Sequence, residues 1–461
     1  MSMSAAAPAR AETQATSVTA ALASRAAGLR YADLPRDIRK LARQCLLDFL
    51  AVTLAGAGEE LTRLLTAEAE EQGGVPVATL IGQPRQAPTL LAALVNGAAA
   101  HALDYDDVNM TMGGHPSVPI LPAILALAEA RGASGAALLT AFVAGYETLC
   151  RVGALVAPGH YARGFHNTGT VGTFGAAAAA ANLLGLDAGT TATALGIAGT
   201  EAAGLKSMFG TMCKPLHAGK AAQNGLFAAS LAARGFSSRS DVLDCPQGFA
   251  DAESPDFHAD AALAEPAGGW HIRDNLFKYH AACYLTHAPI ECALALRRAH
   301  GIAGDAIRAV VLRVESGAAR VCHIPAPRTG LEAKFSLRLT TAMALSGLDT
   351  ARLATYSAAN AEDPALARLR DKVAVDFAHD WPHTLAELKV MLADGSVLEA
   401  RHDSGVPAAD LDAQESRLRA KFMSLAAPVL GERTAERLAA AVASIDELPS
   451  VTELTRLCVP G

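Results

Sequence analysis

The feature that most limits the folds open to this chain is a succession of apolar segments built from alanine and leucine, most of them closed by glycine. LPRDIRKLARQCLLDFLAVTL (34–54), PTLLAALVNGAAAHALD, ILPAILALAEARG, GAALLTAFVAGYETLCRVGAL, GTFGAAAAAANLLG and KAAQNGLFAASLAARG share this texture. In the first, Ile38, Leu41, Ala42, Cys45, Leu46 and Phe49 recur at three-and-four spacing, which predicts a helix with a buried stripe and Pro35 in its first turn. The others are apolar nearly all round, as helices enclosed in a large bundle are, and their glycines suit helix C-termini. Aromatics are 5% of the chain against 51% hydrophobic residues overall, a balance unlike that of an all-β sandwich.

At 461 residues the chain exceeds one ordinary core, so two domains are expected. After about Ala303 the texture changes. AIRAVVLRVESG alternates and is β-branched, and LAELKVMLADGSVLEARHD is two alternating runs joined at Asp394-Gly395, a hairpin signal. Helical pieces, FSLRLTTAMALSG and EDPALARLRDKV, lie between them, giving a smaller α+β domain. Two amphipathic helices beyond Pro407 then return to the first domain. Residues 1–18 read as a disordered leader, having no hydrophobic stretch of signal-peptide length. Every long apolar run is broken by glycine or charge, so no membrane span is expected. The net charge of -7 and the lack of a basic run speak against nucleic acid as a partner. The eight cysteines are scattered without a CxxC pair, which predicts a reduced, cytoplasmic setting.

Charge is concentrated in a few places. HALDYDDVNMTMGGHPSVP (101–119) holds Asp104, Asp106, Asp107, His101 and His115. On a helix His101 and Asp104 share a face, which offers a carboxylate-oriented histidine. The plainer reading is a capped, solvated helix end, and a magnesium-binding aspartate cluster is a third. Gly113, Gly114 and Pro116 point to a shaped loop presenting His115. His166 precedes a run of glycines and threonines that opens a helix, a dipole end suited to an anion, although small residues there also allow close helix packing. CKPLHAGK places Lys214 and His217 at a helix start, where an ammonium and an imidazole suit a polycarboxylate, or merely solvate the helix. FKYHAACYLTH contains Lys278, and its His280, Cys283 and His287 would need a fourth ligand to hold zinc. Together these groups supply acids, bases and cations without a nucleotide loop, an inventory suited to proton abstraction beside a carboxylate.

On LPRDIRKLARQCLLDFLAVTLAG, NGAAAHALDYDD, GGHPSVPILPAILALAE, KPLHAGKAAQNGLFAASLAARGF, FKYHAACYLTHAPI and EAKFSL, the chain resembles the MmgE/PrpD family from about Leu34 to its C-terminal helices. The resemblance implies a mainly α fold: a large all-helical domain (19–275 and 408–461) and a smaller α+β lid domain (276–407). It also implies a homodimer, and a site between the domains that needs neither metal nor organic cofactor. Asp104, His115 and His166 then stand at the catalytic positions, with Lys214 and Lys278, joined by His217, at the substrate-binding ones. The implied activity is a lyase acting on a 2-methylcitrate- or cis-aconitate-like di- or tricarboxylate, with loss of water or carbon dioxide. Isomerisation or epimerisation would use the same proton abstraction, and a non-catalytic carboxylate-binding protein would keep the same fold. The sequence departs from the family pattern at Val108, where relatives often have threonine, at Val118, at His280, and at Leu339, near which a tyrosine is common.

Overall fold

Alanine and glycine on facing helices leave little between the backbones, and the bundle is built on this. A Cβ on Gly97 would lie 2.8 Å from Gly219 Cα, and one on Gly219 would lie 2.2 Å from the Leu94 carbonyl oxygen. Helices Thr89–His101 and Cys213–Ala232 therefore cross almost backbone to backbone. The computed structural model describes residues 17–461. Most of the expected leader lies outside the described residues, but its end is ordered: Ser17 caps helix Val18–Gly28 by accepting the Ala20 N–H, and Val18 is buried.

The main core is lined by Arg36–Gly56, Thr89–His101, Ser117–Arg131, Gly135–Val156, Asn167–Leu183, Ala188–Glu201 and Cys213–Ala232. Pro35 takes the N-cap of the first of these rather than a position inside it. Asn167–Leu183 is buried over all but its last two residues, as its alanine run predicts. Gly135–Val156 is long and apolar enough to cross a bilayer, yet it is packed almost wholly inside this core. Leu418, Phe422 and Leu425 of helix Leu411–Leu430 complete the same core against Arg36–Gly56.

A second core forms around a four-stranded sheet. Its order is Val373–Ala378, Ile307–Glu315, Leu385–Leu392, Val397–Asp403; the first pair runs parallel and the others antiparallel. The hairpin turns at Asp394-Gly395, where Gly395 has φ +90°. Val310, Leu312 and Val314 are buried on one face of their strand. Helices His287–His300 and Leu337–Ser346 pack with this core, and the second bridges to the first: Leu337 belongs to the sheet core while Leu339 and Met343 join the helical one. The protein is thus mainly α, with a smaller α+β region, as its sequence predicts.

Candidate active site

The site forms where helix Thr89–His101 runs out. The chain makes a turn and puts Asp104 at φ +50°, in the left-handed region that aspartate tolerates better than most residues. Asp104 is therefore off the helix, and the expected His101–Asp104 pairing on one helical face does not form. His101 Nδ1 instead donates to Asp106, 3.0 Å from both carboxylate oxygens. Past the acidic run, Val108 and Leu276 exchange backbone hydrogen bonds of 2.8 and 2.9 Å, which seats residues 104–107 beside Lys278. The loop then closes on itself between Asn109 and Gly114, with Gly113 at φ +66°. A Cβ on Gly114 would lie 2.9 Å from Thr168 Oγ1, the same oxygen that accepts the His115 N–H at 3.1 Å. The glycines thus let the loop lie flat on the start of helix Asn167–Leu183 and fix His115 there.

Four of the sequence-predicted residues meet at one carboxylate. Lys214 Nζ lies 2.8 Å and Lys278 Nζ 3.1 Å from Asp104 Oδ1, and His115 Nε2 lies 3.5 Å from that oxygen. On its other side His115 Nδ1 is 2.9 Å from Asp106 Oδ2, though not aligned for a hydrogen bond. The carboxylate nearest His115 is therefore Asp106, where the sequence pointed to Asp104. The Asp104 side chain is 36% exposed and that of Asp106 1%, so solvent and small anions reach the first from outside but not the second. Burial would raise the pKa of Asp104, but the ammonium ions of Lys214 and Lys278 outweigh it and hold the carboxylate ionised.

His166 and His217 form a second tier. Their Nδ1 atoms are 3.1 Å apart, so one donates to the other, and His166 stacks over His101 at 5.9 Å between rings. His166 is the N-cap residue of the glycine- and threonine-rich helix, and Phe209, partly exposed, packs edge-on to it at 4.9 Å. Burial lowers the pKa of His101 to about 4, and burial with neighbouring cations depresses His166 and His217. All three are neutral at pH 7. The glycines of this helix also serve packing: Cβ atoms on Gly169 and Gly172 would lie 2.6 Å from Ala203 O and 2.9 Å from Pro119.

Beneath the site lies a group the sequence reading passed over. Lys421 donates to Asp48 Oδ1 at 2.6 Å, and both side chains are almost wholly buried. The signal was present. Asp48 falls in the buried stripe of Leu41, Cys45 and Val52, and Lys421 in that of Gln414, Leu418 and Leu425, so each is a charge at a core position and each implies the other. Removing one partner of such a pair costs about 3–5 kcal/mol. Asp107 was also passed over; it accepts from Ser117 Oγ at 2.6 Å and Ser117 N at 3.3 Å, fixing the start of helix Ser117–Arg131. Lys334, in the EAKFSL motif, is half-buried and has no ion-pair or hydrogen-bond partner for its ammonium among the described residues; its carbonyl accepts the Cys283 N–H at 3.0 Å.

His101, Asp104, Asp106 and His115 bring possible metal-ligating atoms within 4.8 Å of one another. Two ammonium ions already share Asp104 Oδ1, so a cation bound through it would face like charge on both sides. That donor set fits an anion better than a metal. The alternative zinc trio does not assemble: His280 is engaged by Thr350 at 2.8 Å and Glu291 at 3.2 Å.

Comparison with known proteins follows these features. The MmgE/PrpD N-terminal domain matches residues 20–261 and the MmgE/PrpD C-terminal domain residues 280–447. Cis-aconitate decarboxylase of Mus musculus is 30% identical over 96% of this chain and 93% of its own length. The cis-aconitate decarboxylases of Homo sapiens and Aspergillus terreus (strain NIH 2624 / FGSC A1156) are 29% and 27% identical over 96% and 95% of this chain and 94% and 95% of theirs.

Proposed function

Because this chain belongs to the MmgE/PrpD family, we propose that it is a lyase that removes carbon dioxide from a small unsaturated tricarboxylate of the cis-aconitate kind. The observation that carries this reading is the meeting of Lys214, Lys278 and His115 at the partly exposed Asp104. Each ammonium has three donors and spends only some of them within the protein, so incoming carboxylates bind to the rest. Holding two carboxylates fixed leaves the third on a carbon next to the double bond. When its C–C bond breaks, carbon dioxide leaves, the electron pair forms a new double bond, and the original double bond delivers its electrons to the far carbon. That carbon takes one proton, and His115 is the group placed to deliver it, with Asp106 beside its Nδ1 favouring the charged ring. Neither metal nor organic cofactor enters these steps.

The test is purified protein with cis-aconitate in deuterated water. The expected product has lost one carbon and carries one deuterium on carbon, and its yield is unchanged by a chelator. Deuterium exchange without loss of carbon would replace the decarboxylase reading with an isomerase or epimerase, and loss of water from 2-methylcitrate would replace it with a dehydratase. Binding without exchange would leave a carboxylate-binding protein. We also assign a homodimer in a reducing, cytoplasmic setting, consistent with eight free cysteines; sedimentation at micromolar concentration checks the dimer.

A further inference from the structure

We propose that Lys421 is a positioning residue that sets the spacing between Asp104 and Lys278. Its ammonium lies on the buried side of the site and makes three hydrogen bonds to three distant stretches of chain: Asp48 Oδ1 at 2.6 Å, the Tyr105 carbonyl at 2.7 Å and the Lys278 carbonyl at 2.9 Å. It also sits 3.9 Å from the centre of the Tyr105 ring. All three donors are used, so the lysine is saturated and reaches no substrate. The two carbonyls are what matter. One belongs to the residue following Asp104, whose backbone is already in the left-handed region, and the other belongs to Lys278 itself. A single cation therefore ties the backbone under the central carboxylate to the backbone under one of its ammonium partners.

The rest of the surroundings act in the same direction. Lys278 Nζ also donates to the Asp104 carbonyl, so the two segments are laced from both sides. Asp48 holds Lys421 from helix Arg36–Gly56, and its Oδ2 is buried without a partner. The ammonium is thus fixed by one carboxylate oxygen, and its remaining protons point at the two carbonyls. Helix Leu411–Leu430, far along the chain from every residue that faces the cleft, governs the cleft through this one side chain.

The inference rests on Asp104 and Lys278 lying at the substrate site, and the experiment separates the two ideas. K421M alone strands Asp48 and should unfold at lower temperature. The double variant D48L/K421M removes both charges and should recover most of the lost melting temperature. A crystal structure of the double variant reads the positioning without any substrate: Asp104 Oδ1 and Lys278 Nζ are expected to separate by about 1 Å or more, a shift that costs on the order of a hundredfold in kcat/KM. If the 3.1 Å contact persists, the proposal is overturned. Recovery of wild-type kcat/KM together with stability would overturn it as well, leaving Lys421 a structural counter-ion. Failure of the unmodified protein to turn over cis-aconitate would count against the decarboxylase reading alone, because the distance is measured independently of turnover.

Discussion

Lys214 shows how the site's charge divides between folding and binding. Its side chain is 17% exposed and its partner Asp104 keeps a second ammonium from Lys278, so removing it strands no buried charge. Lys214→Ala should therefore leave the melting temperature nearly unchanged while raising KM for a polycarboxylate by about 10- to 100-fold, the worth of one charge-assisted hydrogen bond. Steady-state kinetics beside a melting curve check this, and unchanged KM would remove Lys214 from the site. The histidines make a second prediction. His101, His166 and His217 have depressed pKa values and are neutral before the ligand binds. A bound polyanion favours their charged forms, so binding takes up protons, and affinity falls as pH rises through the range in which the complex deprotonates. Calorimetry of tricarballylate binding in two buffers of different ionisation enthalpy should show net uptake at pH 7; zero uptake would place these rings out of reach of the ligand. Much of this was legible in the sequence, because charges in an otherwise alanine-rich chain stand out. The pairing was less so. His101 with Asp106 and Lys421 with Asp48 depend on where a helix stops and which helices meet, and spacing along the chain does not encode either.

Helices decide how closely those residues meet, and glycine sets the closest approach. The Gly97–Gly219 crossing brings the helix that ends at His101 against the helix that begins with Cys213-Lys214. Gly219→Ala would put a methyl group 2.2 Å from the Leu94 carbonyl oxygen, and no flexible side chain is there to yield. The helices must separate, at a cost of about 1–3 kcal/mol, and Lys214 must move from Asp104 with them. The variant should lose stability by that amount and lose activity beyond it; a destabilised variant with wild-type kinetics would show that the crossing does not position the site. The helices were readable because their apolar runs are long and end at glycine, and the hairpin because alternation meets Asp394-Gly395. Strand Val373–Ala378 was not, since VAVDFA is short and pairs in parallel with a strand far back in the chain, with no turn to announce it.

Over the whole molecule, buried titratable groups of opposite character set the response to pH. Burial lowers His160 to about 4, as it sits between Thr170 Oγ1 at 2.7 Å and the Glu253 carbonyl at 3.1 Å. Burial raises Asp107 to about 7, aided by the neighbouring charge of Asp48. The two contribute with opposite signs. For His160 the folded pKa lies below the unfolded one, so its contribution is intact above about pH 6.5 and is lost as pH falls towards 4. For Asp107 the folded pKa lies above, so its contribution is intact below about pH 4 and is lost as pH rises towards 7. The wild-type stability between these limits is a near balance, and single variants should expose each slope. His160→Gln lacks the first, so the stability difference between wild type and variant should shrink on acidification from pH 6.5, by roughly 1.4 kcal/mol per pH unit at most. Asp107→Asn lacks the second, and its difference from wild type should shrink in the other direction, as pH rises. Urea unfolding of all three proteins at pH 5.0, 6.0 and 7.0 separates the slopes. Parallel curves would mean that these two buried groups exchange no protons on unfolding, and the electrostatic picture of the interior would have to be abandoned.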